Sequence, residues 1–175
     1  MSFYFSTFPI LNTQRLTLRE LSFKDIEVIY KLRSSKEVNK LITRETPKNL
    51  EDAQAFIKTC HQEFKNENRI FWAIELNEKL VGTIVFHKID LKVKYAEIGY
   101  ELNPKFQQKG IMSEAMKTVL EFGIDKMKLK TIEAFTHKNN TASIALLEKH
   151  LFIFQPKRVC EIVEDNRIWK LEVRS

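Results

Sequence analysis

The sequence predicts an α/β (α+β) protein: a mixed, mostly antiparallel central sheet with helices on both faces. Three observations predict it. Short segments alternate apolar and polar residues, as half-buried strands do, and longer ones repeat apolar residues at three and four. Between them, a strand, a loop with one glycine and a helix run from Glu97 to Val119. A further strand at Thr131–Thr136 then completes a βαβ crossover.

The elements follow in order. Arg15–Glu20 alternates Leu16 and Leu18 with Arg15, Thr17 and Arg19, which predicts a strand. Ser22-Phe23-Lys24-Asp25 has the form of a capping box and leads into a helix face of Ile26, Ile29 and Leu32. Pro47 and Asn49 open a second helix, with Glu51 and Asp52 in the first turn, where the helix dipole favours acids. Its apolar stripe is Ala53, Phe56, Ile57, Cys60 and Phe64. Phe71–Leu76 and Leu80–Ile89 read as strands joined by a polar turn, Asn77-Glu78-Lys79. Tyr95–Leu102 is the next strand, and the helix from Ile111 to Met127 buries Met112, Ala115, Met116, Val119 and Leu120. Asn140 caps a last helix carrying Ile144, Leu147 and Leu151. Phe152–Val163 and Ile168–Val173 then read as a hairpin around Glu164–Arg167, giving the order β-α-α-β-β-β-α-β-α-β-β.

Bulk properties narrow the class. A chain of 175 residues without a Gly/Ser/Pro-rich linker predicts one domain. Its 43% hydrophobic and 30% charged residues are ordinary for a globular protein, and 13 phenylalanines predict an aromatic core with Trp72 and Trp169 in its strands. No apolar run approaches the roughly 18–20 residues of a membrane span. The first ten residues lack the charged start and cleavage site of a signal peptide. Cys60 and Cys160 have no metal or CxxC spacing, so two reduced thiols in a cytoplasmic protein are expected. His61, His87, His137 and His150 sit singly, which argues for solvent or core partners and no metal. The cluster Phe3, Tyr4, Phe5 and Phe8 fits either a dimer contact or packing on its own domain. The net charge of +6 suits nucleic acid or a small polyanion, but the lysines are scattered and no nucleic-acid motif is present.

The Glu97–Val119 stretch carries the chemistry. A strand that stops before Pro104 and a helix entered near Ile111 aim backbone N–H groups and a helix dipole at one point, which suits a phosphate. The loop Gln107-Gln108-Lys109-Gly110-Ile111-Met112 resembles the Gln/Arg-x-x-Gly-x-Gly/Ala signature of the GNAT acetyltransferases. Three segments extend the resemblance to the ribosomal-protein N-acetyltransferase (RimJ/RimL) branch: Thr13–Leu21 with Asp25, then Ala96–Tyr100 with Pro104–Ala115, then Asn140–Ser143 with Leu147–Lys149 and Phe152. Two positions depart from the pattern. Met112 stands where Gly or Ala is usual, and Leu151 replaces a glycine that ends the last helix in a left-handed conformation, so that helix is expected to end differently.

The resemblance implies acetyl transfer from acetyl-CoA to a primary amine, either a protein's N-terminal α-amine or a small-molecule amine. It implies that Gln107, Gln108, Lys109, Gly110, Ile111, Met112 and Ser113 hold the pyrophosphate through main-chain N–H groups. It places the thioester near the backbone of Leu102, where the strand splays at a β-bulge, and gives Asn140 a pantetheine contact beside its capping role. Glu97 is the candidate general base, with a salt-bridged strand carboxylate as the alternative. In many members a tyrosine serves as the acid at the position of Leu147 here, so Ser143 is the candidate for the departing thiolate and Tyr100 the reserve. Relatives of this kind are often monomers or dimers, so the resemblance leaves the oligomeric state open, with a homodimer as one alternative. Reading the chain as an inert acyl-CoA-binding module of the same fold is the alternative that Met112 and Leu151 keep open.

Overall fold

A computed structural model describes residues 4–173. Eight strands form one sheet: β1 (Leu11–Asn12), β2 (Leu16–Glu20), β3 (Arg69–Leu76), β4 (Lys79–Asp90), β5 (Tyr95–Leu102), β6 (Thr131–His137), β7 (Ile153–Phe154) and β8 (Asn166–Glu172). Their spatial order is β1-β2-β3-β4-β5-β6-β8-β7. Every neighbouring pair is antiparallel except β5 with β6, which a helix connects. Parallel neighbours need such a crossover.

Four helices cover the sheet: α1 (Ile26–Ser34), α2 (Leu50–Lys65), α3 (Ile111–Asp125) and α4 (Thr141–Lys149). On one face, Ile29, Ala53, Ile57 and Cys60 of α1 and α2 pack on Phe71 and Ala73. On the other, Ile111, Met112, Met116 and Val119 of α3 and Leu147 of α4 meet Trp72, Ile84, Phe86, Ile98 and Ala134. The parity of each strand sorts its side chains between these two cores. Asn77 and Glu78 both take positive φ, at 49° and 61°, and close the two-residue β3–β4 hairpin.

Phe5 and Phe8 pack on Phe64, and Phe8 also meets Trp72, so this arm folds onto its own core; Phe3 lies outside the described residues. Cys60 and Cys160 are free and buried, and burial pushes the Cys60 thiol up to about 12. Among the described residues, no helix is long and apolar enough to cross a membrane.

Two expectations need correction. Phe152–Val163 is not a strand: β7 holds two residues, and the chain beyond it loops back to β8. Arg158 in that loop forms a bidentate ion pair with Glu133, and Cys160 is buried, so side-chain anchors replace ladder bonds. The end of α4 is also not remodelled. Leu151 takes the left-handed conformation itself, at φ 65°. Its N–H donates to the Glu148 carbonyl and that of Phe152 to the Leu147 carbonyl, both at 3.0 Å. This is a Schellman ending, closed by contact between buried Phe152 and Leu147. With its side chain 76% exposed, Leu151 meets no steric conflict outside its own backbone.

Candidate active site

The parallel pair β5–β6 builds the site by coming apart. Pairing runs from Tyr95 with Thr131 to Ile98 with Ala134 and stops there. Beyond that point β5 stays bonded to β4 through Leu102 with Gly82, and β6 stays bonded to β8 through His137 with Asn166. Each strand follows its antiparallel partner, so a wedge opens between them. The bulge expected near Leu102 is absent: the β4–β5 register is unbroken from Glu97 to Leu102, and its shift lies between His87 and Asp90. A cleft of about 230 Å³ occupies the wedge, at the carboxyl ends of the two parallel strands.

Strand parity assigns the cleft's walls. Tyr100 and Thr136 line the cleft from the face that α4 covers, with Asn140 and Ser143, while Gly99 and His137 belong to the opposite face and line it with Leu41, Ile42 and Thr43. The Tyr100 hydroxyl lies 2.8 Å from Ser143 Oγ, and burial pushes the phenol up to about 12. Asn140 Oδ1 accepts the Ser143 N–H at 3.1 Å, so it caps α4 and lines the cleft at once.

Glu97 lies on the other face from Tyr100, in the paired part of β5 and outside the cleft wall. It is buried, held by Lys88 Nζ at 2.9 Å and by the Tyr95 hydroxyl at 3.2 Å, with His87 Nε2 at 3.7 Å. The same Tyr95 hydroxyl reaches Glu133 Oε2 at 3.2 Å, so one donor serves two neighbouring carboxylates. Burial, with both carboxylates adding to it, pushes the Tyr95 phenol up. Gly99, next on that face, has no side chain of its own, and Val85 Cγ1 and His87 Nε2 lie 3.3 and 3.9 Å from where its Cβ would be. Glu101, next on that face, is bound by Arg44 at 2.5 Å and Thr83 at 3.2 Å, fixing the segment that carries Leu41–Thr43.

The loop after β5 supplies the second half of the site. Gln107, Gln108, Lys109 and Gly110 are exposed, and positive φ at Gln108 (58°) and Gly110 (74°) turns the chain into α3. Among the described residues, the N–H groups of Gln108 to Ser113 meet no acceptor. The first intrahelical bond is Glu114 N–H to the Gly110 carbonyl. Unfilled donors at a helix start, with αL residues before them, make a cradle for phosphate oxygens. Met112 is buried in the core, so its bulk leaves that cradle open. Ser113 Oγ is engaged by His150 Nε2 at 3.0 Å, and the Leu102 carbonyl accepts from Gln107 Nε2 at 3.2 Å. Burial holds His150 below its ordinary value.

Sequence reasoning missed His137 as a cleft residue. Its Nδ1 accepts the Asn139 N–H at 3.1 Å, and its Nε2 faces Asp165 at 3.8 Å. Its place at the carboxyl end of a strand was the available signal. Among the described residues, no cluster of His, Cys, Asp or Glu could hold a metal ion.

The family model described as "Acetyltransferase (GNAT) domain" matches residues 15–152, and the chain belongs to that family of acetyltransferases. The N-acetyltransferase YoaA of Bacillus subtilis, itself uncharacterized, is 36% identical over 144 residues, 81% of each chain. The microcin C7 self immunity acetyltransferase MccE, solved with acetyl-CoA and AMP, superposes with a TM-score of 0.78 at 25% identity, covering 92% of this chain and 94% of its own. RimL, the ribosomal L7/L12 alpha-N-protein acetyltransferase solved with coenzyme A, shares the fold with a TM-score of 0.79 at 16% identity, covering 94% of this chain and 98% of its own.

Proposed function

We propose that the protein transfers an acetyl group from acetyl-CoA to a primary amine in the β5–β6 wedge. One observation carries the reading: the strands part at Ile98 and Ala134, immediately before Tyr100 meets Ser143, while the unfilled N–H groups of Gln108–Ser113 follow at the end of β5. The open edge of β5, freed from β6, offers main-chain groups near Leu102 to an extended arm. Asn140 reaches the same arm from α4, and the Gln107–Ser113 loop takes the pyrophosphate. Acetyl-CoA supplies the activated acyl group when bound.

The chain's own residues then manage protons. Glu97 receives the amine proton, through a water across Gly99, from the face opposite Tyr100. Ser143 and Tyr100 form a hydroxyl pair with two protons and one mutual hydrogen bond, leaving one proton to donate towards the departing sulfur. Bound RimL supports a protein α-amine as acceptor by its name, and MccE supports a small nucleotide-bearing molecule by its ligands.

Thermal unfolding with and without acetyl-CoA tests the cofactor reading, with Gly110→Trp as control. A ligand of the native state at hundredfold excess over its dissociation constant adds about 2.7 kcal/mol, raising the midpoint. The variant should lose that rise. An unchanged midpoint at millimolar acetyl-CoA would reject the reading.

A further inference from the structure

Arg15 immediately precedes β2, yet its side chain belongs to the loop before α3. Nε donates to Glu114 Oε2 at 2.7 Å and Nη1 to the Lys109 carbonyl at 3.1 Å. The other oxygen of Glu114 accepts the Arg15 main-chain N–H at 3.0 Å and the Thr13 hydroxyl at 2.5 Å. Arg15 Nη2 has no partner among the described residues, and it stands 3.5 Å from where a Cβ on Gly110 would be.

Two consequences follow for an anion at this loop. Glu114 suits the first turn of α3, where acids stabilise the helix dipole, but its charge opposes a phosphate beside the same turn. Arg15 cancels that charge. Lys109, the cation the sequence places in the loop, is turned away: its Nζ donates to the Lys105 carbonyl at 2.8 Å and sits 5.7 Å from the Phe106 ring centre. The cation standing at Gly110 therefore comes from the other end of the chain.

We propose that Arg15 is a pyrophosphate ligand, its Nη2 donating to a phosphate oxygen beside Gly110 while Nε and Nη1 fix the guanidinium. The proposal rests on the reading of this loop as the acetyl-CoA site. A guanidinium suits the task because it stays charged and can brace with one edge while donating from another. With its side chain 44% exposed, it is accessible from solvent.

Titrations of wild type, Arg15→Gln and Arg15→Gln/Glu114→Gln with coenzyme A and with pantetheine, which lacks the pyrophosphate, test it. Arg15→Gln should weaken coenzyme A roughly tenfold or more, while pantetheine changes less than about twofold. The double variant should stay weaker than wild type for coenzyme A. Unchanged coenzyme A binding, equal weakening of both ligands, or full recovery in the double variant would each overturn the proposal. A wild type that binds coenzyme A no better than pantetheine would overturn it too, by removing the pyrophosphate site itself.

Discussion

The Tyr100 hydroxyl lies 2.8 Å from Ser143 Oγ, tying the splayed end of β5 to the first turn of α4. Asn140 holds the same turn through the Ser143 N–H, so the hydroxyl pair is fixed from both sides. Removing one hydroxyl should disturb proton donation without dismantling the cleft. Ser143→Ala and Tyr100→Phe should each lower kcat, by roughly tenfold to a hundredfold, with little change in acetyl-CoA affinity. Because the two hydroxyls act as a unit, the double variant should fall short of the product of the single effects. Steady-state kinetics on the three variants check this.

Tyr100 also sets an expectation for pH. Burial raises its phenol to about 12, above the ordinary value of roughly 10. Its stabilising contribution is therefore complete below about pH 10 and is lost as pH rises towards 12. A pH profile of kcat should show no Tyr100 inflection below pH 10, and denaturation midpoints should begin to fall above it.

Glu97, the proposed base, lies on the face of the sheet opposite Tyr100. Its carboxylate is held by Lys88 and Tyr95, so Glu97→Gln keeps the shape while removing the proton acceptor. We expect kcat to fall by about a hundredfold or more, with acetyl-CoA binding retained. A kcat within about twofold of wild type would assign Glu97 to structure and move the base elsewhere in the cleft.

Leu151 carries a cost that glycine would remove. A left-handed residue with a Cβ costs about 1–2 kcal/mol, and this side chain is 76% exposed, so little burial is lost on its removal. Leu151→Gly should raise stability by about 1 kcal/mol and the thermal midpoint by roughly 2–4 °C, with kcat unchanged. Calorimetry of the variant checks it.

Much of this was legible in the sequence because period and punctuation agreed. The β5–loop–α3 stretch announced itself through alternation, Pro104 and Gly110, and α3 begins at Ile111 as read. Strand parity also separates Glu97 from Tyr100, since an odd and an even position on one strand face opposite cores. Other features were hidden for physical reasons. Val159 and Ile162 look like strand residues but are exposed in a loop whose anchors, Arg158 to Glu133 among them, join distant positions. The pairing of Arg15 with Glu114 spans 99 residues, beyond any local pattern. Leu151 violated a local rule that the Phe152–Leu147 contact overrides.

Acceptor-dependent thiol release shows whether the protein transfers acetyl from acetyl-CoA to an amine. Purified protein is given acetyl-CoA and, in turn, peptides with free α-amines and small primary amines, while free thiol and acetylated amine are both measured. Thiol release should require an amine, match acetylated product one for one, and collapse in Glu97→Gln and Ser143→Ala. Tight acetyl-CoA binding with no amine-dependent release across both acceptor classes would contradict it and leave a cofactor-binding module in place of an enzyme.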